Sequence, residues 1–490
     1  MESASGLPHA LSYSLNVLQS GTSMNSFEIS PSTGASSVSA GGEIRFQLPN
    51  VGLLDMKSSK MTFSVITTTS KGARLPAHTD TLFNNMTIKA GGIQLYSGNN
   101  FHHIVENIKY NMGVKKACGV SGHKDCLDAG DQEGRPLVAA NASETYAGLG
   151  AANNVFSVDL GDFANIQPRL LDVSLLPSLE ITFRVNDDNA LSSIVNGAVG
   201  TGGTNGATTA NTGAGGAKIT IVNPKFYCQM YSLASGAYQQ AIRARMNDVG
   251  YLSICYDNHL CFNSTFTGSS RFSLSAMSLK RLTAVFRRSK GSGIGSATTQ
   301  GQFVPIVGHS KEDATIGNDG AVYGIFGSSR LAKSGVSEYQ GKVQSLCLPT
   351  AAPAADADVN APAFGLYNAT TPCNLAFKIQ SAQIPQYFAD VCQMSELTKL
   401  AYNVDEFAKA KILPQYLANY FAFAIPLSLP ESPLDKKVIS GLNTQSTNAF
   451  LELTSNGANV QTNGDYEVLV FACVDSILRV GAGKSIELLM

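Results

Sequence analysis

The sequence predicts an all-β protein that consists of two similar β-sandwiches in tandem, joined by short helices and long loops. Residues 466–480 form a long run of β-branched and aromatic residues with turn signals at both ends, and this pattern indicates a buried central strand. Residues 217–231, near the middle of the chain, have the same character. A chain of 490 residues is too long for one ordinary core. We therefore expect each of these strands to complete its own sandwich.

The composition is unusually poor in charge. Only 14% of the residues are charged, against about 25% in typical soluble domains, and the formal net charge is −1. Such a surface indicates burial against partners, usually copies of the same chain, or a surface built from Ser, Thr, Asn and Gly. The near-zero net charge excludes a strongly basic domain that would attract nucleic acid.

Nine cysteines are scattered along the chain, often inside apolar strand patterns. An odd, dispersed set of this kind indicates small buried hydrophobes in a reducing compartment rather than a disulfide framework. The N-terminus shows no basic-then-apolar signal segment, and no apolar stretch approaches ~20 residues. We therefore expect synthesis in the cytosol or nucleus.

The first half begins with an extended arm and continues with strands. Residues 1–40 are rich in Ser and Gly and show little periodicity, so they predict an N-terminal arm. Strands are predicted at residues 41–49 and 59–69. Residues 82–96 predict a hairpin that turns at Ala90-Gly91-Gly92.

The period changes directly after this hairpin and predicts a short amphipathic helix, which Asn99 or Asn100 can cap. Its apolar residues fall on one helical face: Phe101, Ile104, Val105, Ile108 and Met112. Strands resume at residues 155–160 and 179–185. Residues 197–216 have too few apolar side chains to fold on their own and predict an exposed loop.

The second half repeats this mixture of strands, short helices and long loops. Residues 238–246 predict a short helix or link, residues 290–360 are dominated by loops, and residues 395–402 predict a capped helical turn. Strand patterns occur at residues 250–256, 271–276, 281–288, 375–380, 420–427 and 449–453.

The order of the elements repeats between the halves, which supports a duplication. The series 155–160, 179–185 and 217–231 corresponds to the series 420–427, 449–454 and 466–480. On this basis we divide the chain into an N-terminal arm at 1–40, a first sandwich at 41–235 and a second sandwich at 236–490.

Two segments resemble a known family. Residues 79–111 contain a strand with Asn85-Met86-Thr87-Ile88, a tight turn, a strand with Gln94-Leu95-Tyr96, and a short helix with an aromatic entry. This arrangement resembles the first jelly roll of the double jelly-roll major capsid proteins of icosahedral double-stranded DNA viruses, including virophages and polinton-like viruses. Ser440-Gly441-Leu442-Asn443-Thr444, followed by a strand and a long terminal strand, is similar to the end of their second jelly roll.

The resemblance implies a fold of two tandem jelly rolls and a role in assembly, with no catalytic motif. Three chains would form a homotrimer of pseudo-hexagonal outline, and the trimers would tile the faces of an icosahedral shell. Partners would be the chain itself, penton and minor capsid proteins, and an internal membrane, with the N-terminal arm tying neighbours together on the inner side. The protein would then be part of the virion and be assembled in the host cytoplasm or nucleus.

The candidate sites for chemistry all favour a structural explanation, and we predict no catalytic, metal or cofactor site. Cys118, His123 and Cys126 are the only compact set of soft ligands, but they lack a fourth ligand and the usual Cys-x2-Cys pairing of a zinc site. His102 and His103 are adjacent on a predicted helix, where they point to different faces. Asp356 and Asp358 lack the terminal Glu of a calcium loop.

Glycine-rich and basic segments likewise carry no binding motif. Residues 291–295 have a Gly-x-Gly-x-Gly spacing but no βαβ unit around it, and Gly481-Ala482-Gly483-Lys484-Ser485 has the wrong glycine spacing for a phosphate loop, so both predict turns. The basic clusters are short and predict solvated positions or subunit contacts: Arg243 with Arg245, Lys280 with Arg281, and Arg287-Arg288 with Lys290. We expect no direct sequence-specific binding of nucleic acid.

Two alternative functions remain open beside the capsid. One is a β-sandwich carbohydrate-binding protein or enzyme. Such proteins bind sugars on large aromatic side chains, and the absence of tryptophan from this chain weighs against that function. A single-jelly-roll capsid protein with a projecting domain often carries a basic arm for its genome, whereas residues 1–40 contain no Lys or Arg.

Overall fold

The computed structural model describes residues 22–67, 73–74, 79–99, 105–106, 109, 112–115, 136–137, 156–186, 193–195, 208–209, 219–233, 236–288, 322–323, 328–330, 342–343, 374–407, 422–428, 441–445, 450–456 and 466–490. All structural statements below concern these residues. Most residues of the predicted loops at 290–360 and 197–216, and most of the predicted helix with Phe101 and Met112, lie outside them.

The first sandwich consists of two antiparallel sheets built from eight principal strands. They are β1 (Thr22–Ile29), β2 (Glu43–Gln47), β3 (Leu53–Thr67), β4 (Phe83–Ala90), β5 (Ile93–Ser97), β6 (Leu170–Asp172), β7 (Leu179–Val185) and β8 (Ile219–Leu233). One sheet has the order β1-β8-β3-β6 and the other the order β2-β7-β4-β5.

The second sandwich repeats this arrangement strand for strand. Its strands are β9 (Tyr251–Thr265), β10 (Ser269–Ser273), β11 (Leu279–Arg288), β12 (Asn374–Ile379), β13 (Ala382–Ala389), β14 (Phe423–Pro426), β15 (Phe450–Asn456) and β16 (Tyr466–Gly481). The sheets have the orders β9-β16-β11-β14 and β10-β15-β12-β13. Each strand therefore occupies the place of the strand numbered eight lower in the first sandwich. The fold is all-β and consists of two tandem jelly rolls, which confirms the predicted fold class.

Smaller elements complete the chain. The helices α1 (Gly236–Val249) and α2 (Val391–Tyr402) and three 3-10 turns, Thr79–Leu82, Gly161–Asn165 and Ala482–Lys484, connect the strands. Additional strands extend the large sheets at Ser37–Ser39, Phe156–Asp159 and Ile486–Leu489. Two small sheets are formed by Ala73–Arg74, Pro136–Leu137, Ser193–Val195 and Thr208–Thr209, and by Val322–Tyr323, Ser328–Arg330 and Lys342–Val343. Among the described residues, no helix is long and apolar enough to cross a membrane.

Alternation of apolar and polar residues explains why these segments are strands. In β2, Ile44 and Phe46 are fully buried while their neighbours are exposed, as expected for a strand with one face on a core. Aromatic pairs fill both cores: the Phe63 and Phe83 rings lie 5.4 Å apart in the first, and Phe377 and Phe423 stack at 5.1 Å in the second. The predicted central strand β16 lies between β9 and β11.

The hairpin of β4 and β5 turns where the sequence predicted. Gly91 and Gly92 have φ of 55° and 88°, which glycine adopts readily. A Cβ on Gly91 would lie 2.8 Å from carbons of Pro177, so this close approach also requires glycine.

The strand predicted at 155–160 is present as Phe156–Asp159, and a further strand, β6, pairs with β3 beside it. Two local predictions differ from the structure. Residues 22–29 of the predicted arm form β1, which pairs along its length with β8. Helix α2 starts four residues before the predicted turn, because Asp390 caps it and exchanges hydrogen bonds with Gln393.

Candidate functional site

The two sandwiches meet side against side, and this junction is the most extensively built polar site in the described part of the chain. Strand β9 of the second sandwich packs on β5 and on the Gly161–Asn165 turn of the first. The backbones of Gln167 and Cys255 exchange two hydrogen bonds of 2.8 and 2.9 Å. The Tyr256 hydroxyl donates to the Leu95 carbonyl oxygen at 2.7 Å.

Each sandwich also contributes side chains to the core of the other. The first core also contains four buried side chains of the second half, Ile254, Tyr256, Leu478 and Val480. In the opposite direction, Val105 and Met112 of the first half lie in the second core. The junction therefore excludes water from apolar surface on both sides, which stabilises one relative placement of the sandwiches.

A network of polar side chains, most of them buried and charged, crosses the junction, and we call it the junction cluster: Asp80, Glu106, Lys109, Lys115, Asp159, Asp162 and His259. The Lys109 ammonium lies 2.9 Å from Glu106 Oε1 and also contacts Asp162. Lys115 Nζ lies 3.0–3.1 Å from carboxylate oxygens of Asp80, Glu106 and Asp159.

His259 is the member of the cluster that comes from the second sandwich. Its Nε2 lies 3.1 Å from Asp162 Oδ2, so this contact joins β9 to the Gly161–Asn165 turn. Glu106 and Lys109 are three residues apart in a helical segment, which places their side chains on one face. The network thus links four separate stretches of the sequence.

Burial and charge together set the protonation of this cluster. Burial disfavours charge on Lys109, but the carboxylates of Asp162 and Glu106 outweigh it and raise the pKa of Lys109 above its ordinary value. Burial also works against the charged form of Asp162, yet the Lys109 ammonium holds the pKa of that carboxyl below its usual range. Both groups therefore remain charged at neutral pH.

His259 behaves in the opposite way. Burial lowers the pKa of His259 to about 4, against the attraction of Asp162 and with the help of the positive charges on Lys109 and Arg281. The imidazole is therefore neutral at pH 7.

A second group of charges lies on the same side of the second sandwich. Lys280 Nζ is 2.9 Å from Asp257 and 3.2 Å from Asp475, and Asp475 accepts a hydrogen bond of 2.6 Å from Ser278. The guanidinium of Arg281 lies 4.2 Å from the centre of the Tyr402 ring and donates to the Ala401 carbonyl oxygen. The solvated alternative predicted for Lys280 and Arg281 is therefore wrong, because both side chains bind within their own chain.

The arrangement is suited to holding two sandwiches in place rather than to chemistry on a substrate. The carboxylates of the junction cluster have lysine partners, and burial raises the pKa of the thiols of Cys255 and Cys473, which keeps them protonated. Among the described residues, no group of three or more His, Cys, Asp and Glu side chains is placed to hold a metal ion.

The other candidates from the sequence are placed as follows. Residues 481–485 form a turn between β16 and the last strand, as predicted, and no helix follows. Arg243 and Arg245 are exposed on α1, which fits the solvated alternative. Cys118, His123, Cys126, His102, His103, residues 291–295, Asp356 and Asp358, and the side chains of Arg287, Arg288 and Lys290, lie outside the described part of the chain.

Sequence reasoning missed the junction cluster. A signal existed in β9 and β16, where Asp257, His259 and Asp475 interrupt otherwise strand-like runs. Titratable residues inside an apolar strand pattern indicate a polar contact that the sheet itself does not supply.

Comparison with known proteins finds solved structures with a similar fold. The sequence matches no protein-family model and no curated protein. The structure is similar to the Faustovirus major capsid protein, with a TM-score of 0.52 at 10% identity over 94% of this chain and 91% of that one. It is also similar to a chain of the PBCV-1 virus capsid (TM-score 0.47, 14% identity, 96% and 97% covered) and to one of the Sputnik virophage (0.48, 10%, 96% and 89%). The chain therefore has the fold of the Faustovirus protein.

Proposed function

We propose that the chain is the major capsid protein of an icosahedral double-stranded DNA virus, a structural subunit without catalytic activity or cofactor. The observation that carries this proposal is the repetition of one eight-strand order in both sandwiches, on a fold shared with the Faustovirus major capsid protein. A single jelly roll with a projecting domain does not account for a second, complete sandwich.

The geometry of the junction suits a subunit that packs side by side with its copies in a regular lattice. Two like sandwiches, locked side by side by shared cores and the junction cluster, form one rigid block with similar lateral sides. Three such blocks supply six similar sides, which suits a homotrimer of pseudo-hexagonal outline that packs into a lattice of trimers.

The remaining partners and the location follow from this role. The protein acts in the virion, after assembly in the host cytoplasm or nucleus, and it contacts penton and minor capsid proteins. Residues before β1 tie neighbouring subunits or an internal membrane together on the inner side. Sequence-specific contact with nucleic acid is not part of the role.

Size-exclusion chromatography with light scattering tests the trimer. A trimer has a mass of about 155 kDa, three times the 51.6 kDa of one chain, and negative-stain images of that fraction should show a hexagonal outline. A protein that stays monomeric at all accessible concentrations would contradict the proposal. Selective binding of a glycan on an array, or its hydrolysis, would instead support the carbohydrate alternative.

A further inference from the structure

One lysine of the junction cluster lies between two carboxylates and is largely shielded from water. Lys109 Nζ is 2.9 Å from Glu106 Oε1 and also contacts Asp162 Oδ1. The side chains of Lys109, Glu106 and Asp162 are only 6%, 2% and 13% exposed. The site therefore holds an amine, a carboxyl group in contact with it and a second carboxylate that can carry protons. These are the groups that an amide bond between two side chains requires.

Aromatic side chains enclose this contact. The Tyr96 ring lies 5.6 Å from the ring of Phe163, which lies 4.9 Å from the ring of Tyr256. Phe163 directly follows Asp162 in the chain, and both Phe163 and Tyr96 are fully buried. Burial, and then the charges of Asp162 and Glu106, raise the pKa of Tyr96, which is the effect of two carboxylates close to that ring. The enclosure keeps out water, which would otherwise compete with the amine for the carboxyl carbon.

We propose that Lys109 and Asp162 condense within the folded chain and form an isopeptide bond, an amide between their side chains. Glu106 carries a proton in this step. The bond joins the segment around Lys109 to the Gly161–Asn165 turn, and both of these parts contact the second sandwich. The inference goes beyond the proposed function, because the bond forms inside one chain and does not depend on assembly.

The step is a condensation that balances without an oxidant or a reductant. The ammonium group of Lys109 and the carboxylate of Asp162 give one amide and one water molecule. The bond between Lys109 Nζ and Asp162 Cγ forms, and the bond between Asp162 Cγ and Oδ1 breaks. Of the three protons on the ammonium nitrogen, one stays on the amide nitrogen and two leave with Oδ1 as water.

The contacts supply a path for both of the departing protons. One passes directly from Lys109 Nζ to Asp162 Oδ1, which gives the neutral amine and the neutral acid. Glu106 Oε1, hydrogen-bonded to Nζ at 2.9 Å, takes the second as Nζ attacks Cγ and returns it to Oδ1. Asp162 Oδ2 remains as the amide oxygen. His259 Nε2 lies 3.1 Å from Oδ2, where a neutral imidazole can stabilise the negative charge that develops on this oxygen.

The charges of the cluster affect both the outcome and the rate. Condensation removes one positive and one negative charge from a buried site, and Glu106 keeps Lys115 Nζ at 3.1 Å. This change is favourable because the desolvation of buried ions costs free energy. Although burial works against it, the carboxylates of Asp162 and Glu106 raise the pKa of Lys109. The neutral amine is therefore scarce, and we expect the bond to form slowly after folding.

Intact-mass spectrometry of the full chain tests the proposal without any substitution. The wild-type protein should become lighter by the mass of one water molecule. Trypsin should then leave Lys109 uncleaved and release one branched peptide that contains residues 90–115 and 125–169. A folded wild-type chain that keeps its full mass after prolonged incubation would overturn the proposal. Loss of water with Lys109 still cleavable, as a cyclic imide elsewhere would give, would overturn it as well.

Two substitutions separate the reacting pair from the proton carrier. Lys109→Arg keeps the positive charge but removes the amine, so this variant should keep its full mass. Glu106→Gln keeps both reacting groups and should slow the loss of water at least about a hundredfold. If it condenses as fast as the wild type, the role given to Glu106 is wrong. Circular dichroism checks that each variant is folded.

The matched control is Lys225→Arg. Lys225 also contacts a carboxylate, that of Glu28, but both side chains of this pair are about half exposed. Water keeps such a pair charged and available for exchange with other partners, so we expect no bond between them. The control should therefore lose water at the rate of the wild type, and a control that keeps its full mass would place the bond at Lys225 and overturn the proposal.

Discussion

At the scale of single residues, the junction cluster stabilises one placement of the sandwiches chiefly by making every other placement costly. A buried ion pair contributes little net free energy because desolvation offsets the attraction, but removal of one partner leaves an uncompensated buried charge. The side chains of Lys109 and Glu106 are only 6% and 2% exposed, so this asymmetry applies to them in full. The cluster therefore selects the arrangement rather than adding greatly to the overall stability.

Replacement of Lys109 tests this asymmetry. We expect Lys109→Met to lower the free energy of unfolding by about 3–5 kcal/mol, because Asp162 loses its lysine partner and Glu106 keeps only Lys115. The control is Arg45→Ala, which breaks the half-exposed Arg45–Glu43 pair and should cost less than about 1 kcal/mol. Urea denaturation measures both values, and equal losses would contradict a buried network.

His259 predicts a dependence of stability on acid. Its pKa is about 4 in the folded chain and 6.5 in the unfolded chain, so between these values the unfolded state binds more protons and the free energy of unfolding falls as the pH falls. The contribution is fully present above pH 6.5. From pH 7 to pH 4.5 it should decrease by about 2 kcal/mol.

The variant His259→Gln cannot take up this proton. Its loss of stability between the same two pH values should therefore be smaller by about 2 kcal/mol, measured by urea denaturation at each pH. If the wild type and the variant lose the same free energy, His259 is not neutral and buried in the folded protein.

At the scale of elements, the segment at residues 441–445 is tied to the connection between β10 and β11. Leu442 and Leu279 exchange two backbone hydrogen bonds of 2.9 Å, and the Thr444 hydroxyl accepts from the backbone N–H of Ala276 at 2.9 Å. The Gly441 N–H donates to Ser278 Oγ, and Ser278 in turn donates to Asp475. These contacts explain why a short segment with few apolar side chains has a defined backbone conformation.

Gly441 is the position where this segment tolerates no side chain. A Cβ there would lie 2.1 Å from the Leu279 carbonyl oxygen, so Gly441→Ala must displace backbone, and we expect a loss of about 1–3 kcal/mol. Asn443→Ala, at an exposed position of the same segment, should cost less than about 1 kcal/mol. Thermal unfolding of both variants measures the difference, and a neutral Gly441→Ala would show that the segment is not held against Leu279.

At the scale of the whole molecule, the two sandwiches share their cores. Tyr256 and Leu478 complete the first core from the second half, and Val105 and Met112 complete the second core from the first half. We propose that the division between residues 235 and 236 separates the two sandwiches. Because the cores are shared, we do not expect either sandwich to be stable alone.

Separation of the chain at this boundary tests the dependence. Residues 1–235 and 236–490, expressed apart, should be poorly soluble because each exposes the apolar surface that the other covers. Expressed together, the two pieces should copurify as one complex. If either piece alone unfolds cooperatively and remains monomeric, the shared cores contribute little.

Local pattern determined most of the strands, the hairpin at Gly91-Gly92 and the repetition of order, because each of these depends on residues that are close in sequence. Alternation reports burial of one strand face against a core, so β2 and β7 were predictable, and a continuous apolar run predicted β16. The edge strands β1 and β13 were not, since exposure on both faces leaves them without an apolar period. Only the tertiary structure brought Lys109, Asp162 and His259 together, because the attraction of a buried charge depends on distance in space and carries no signature in the local sequence.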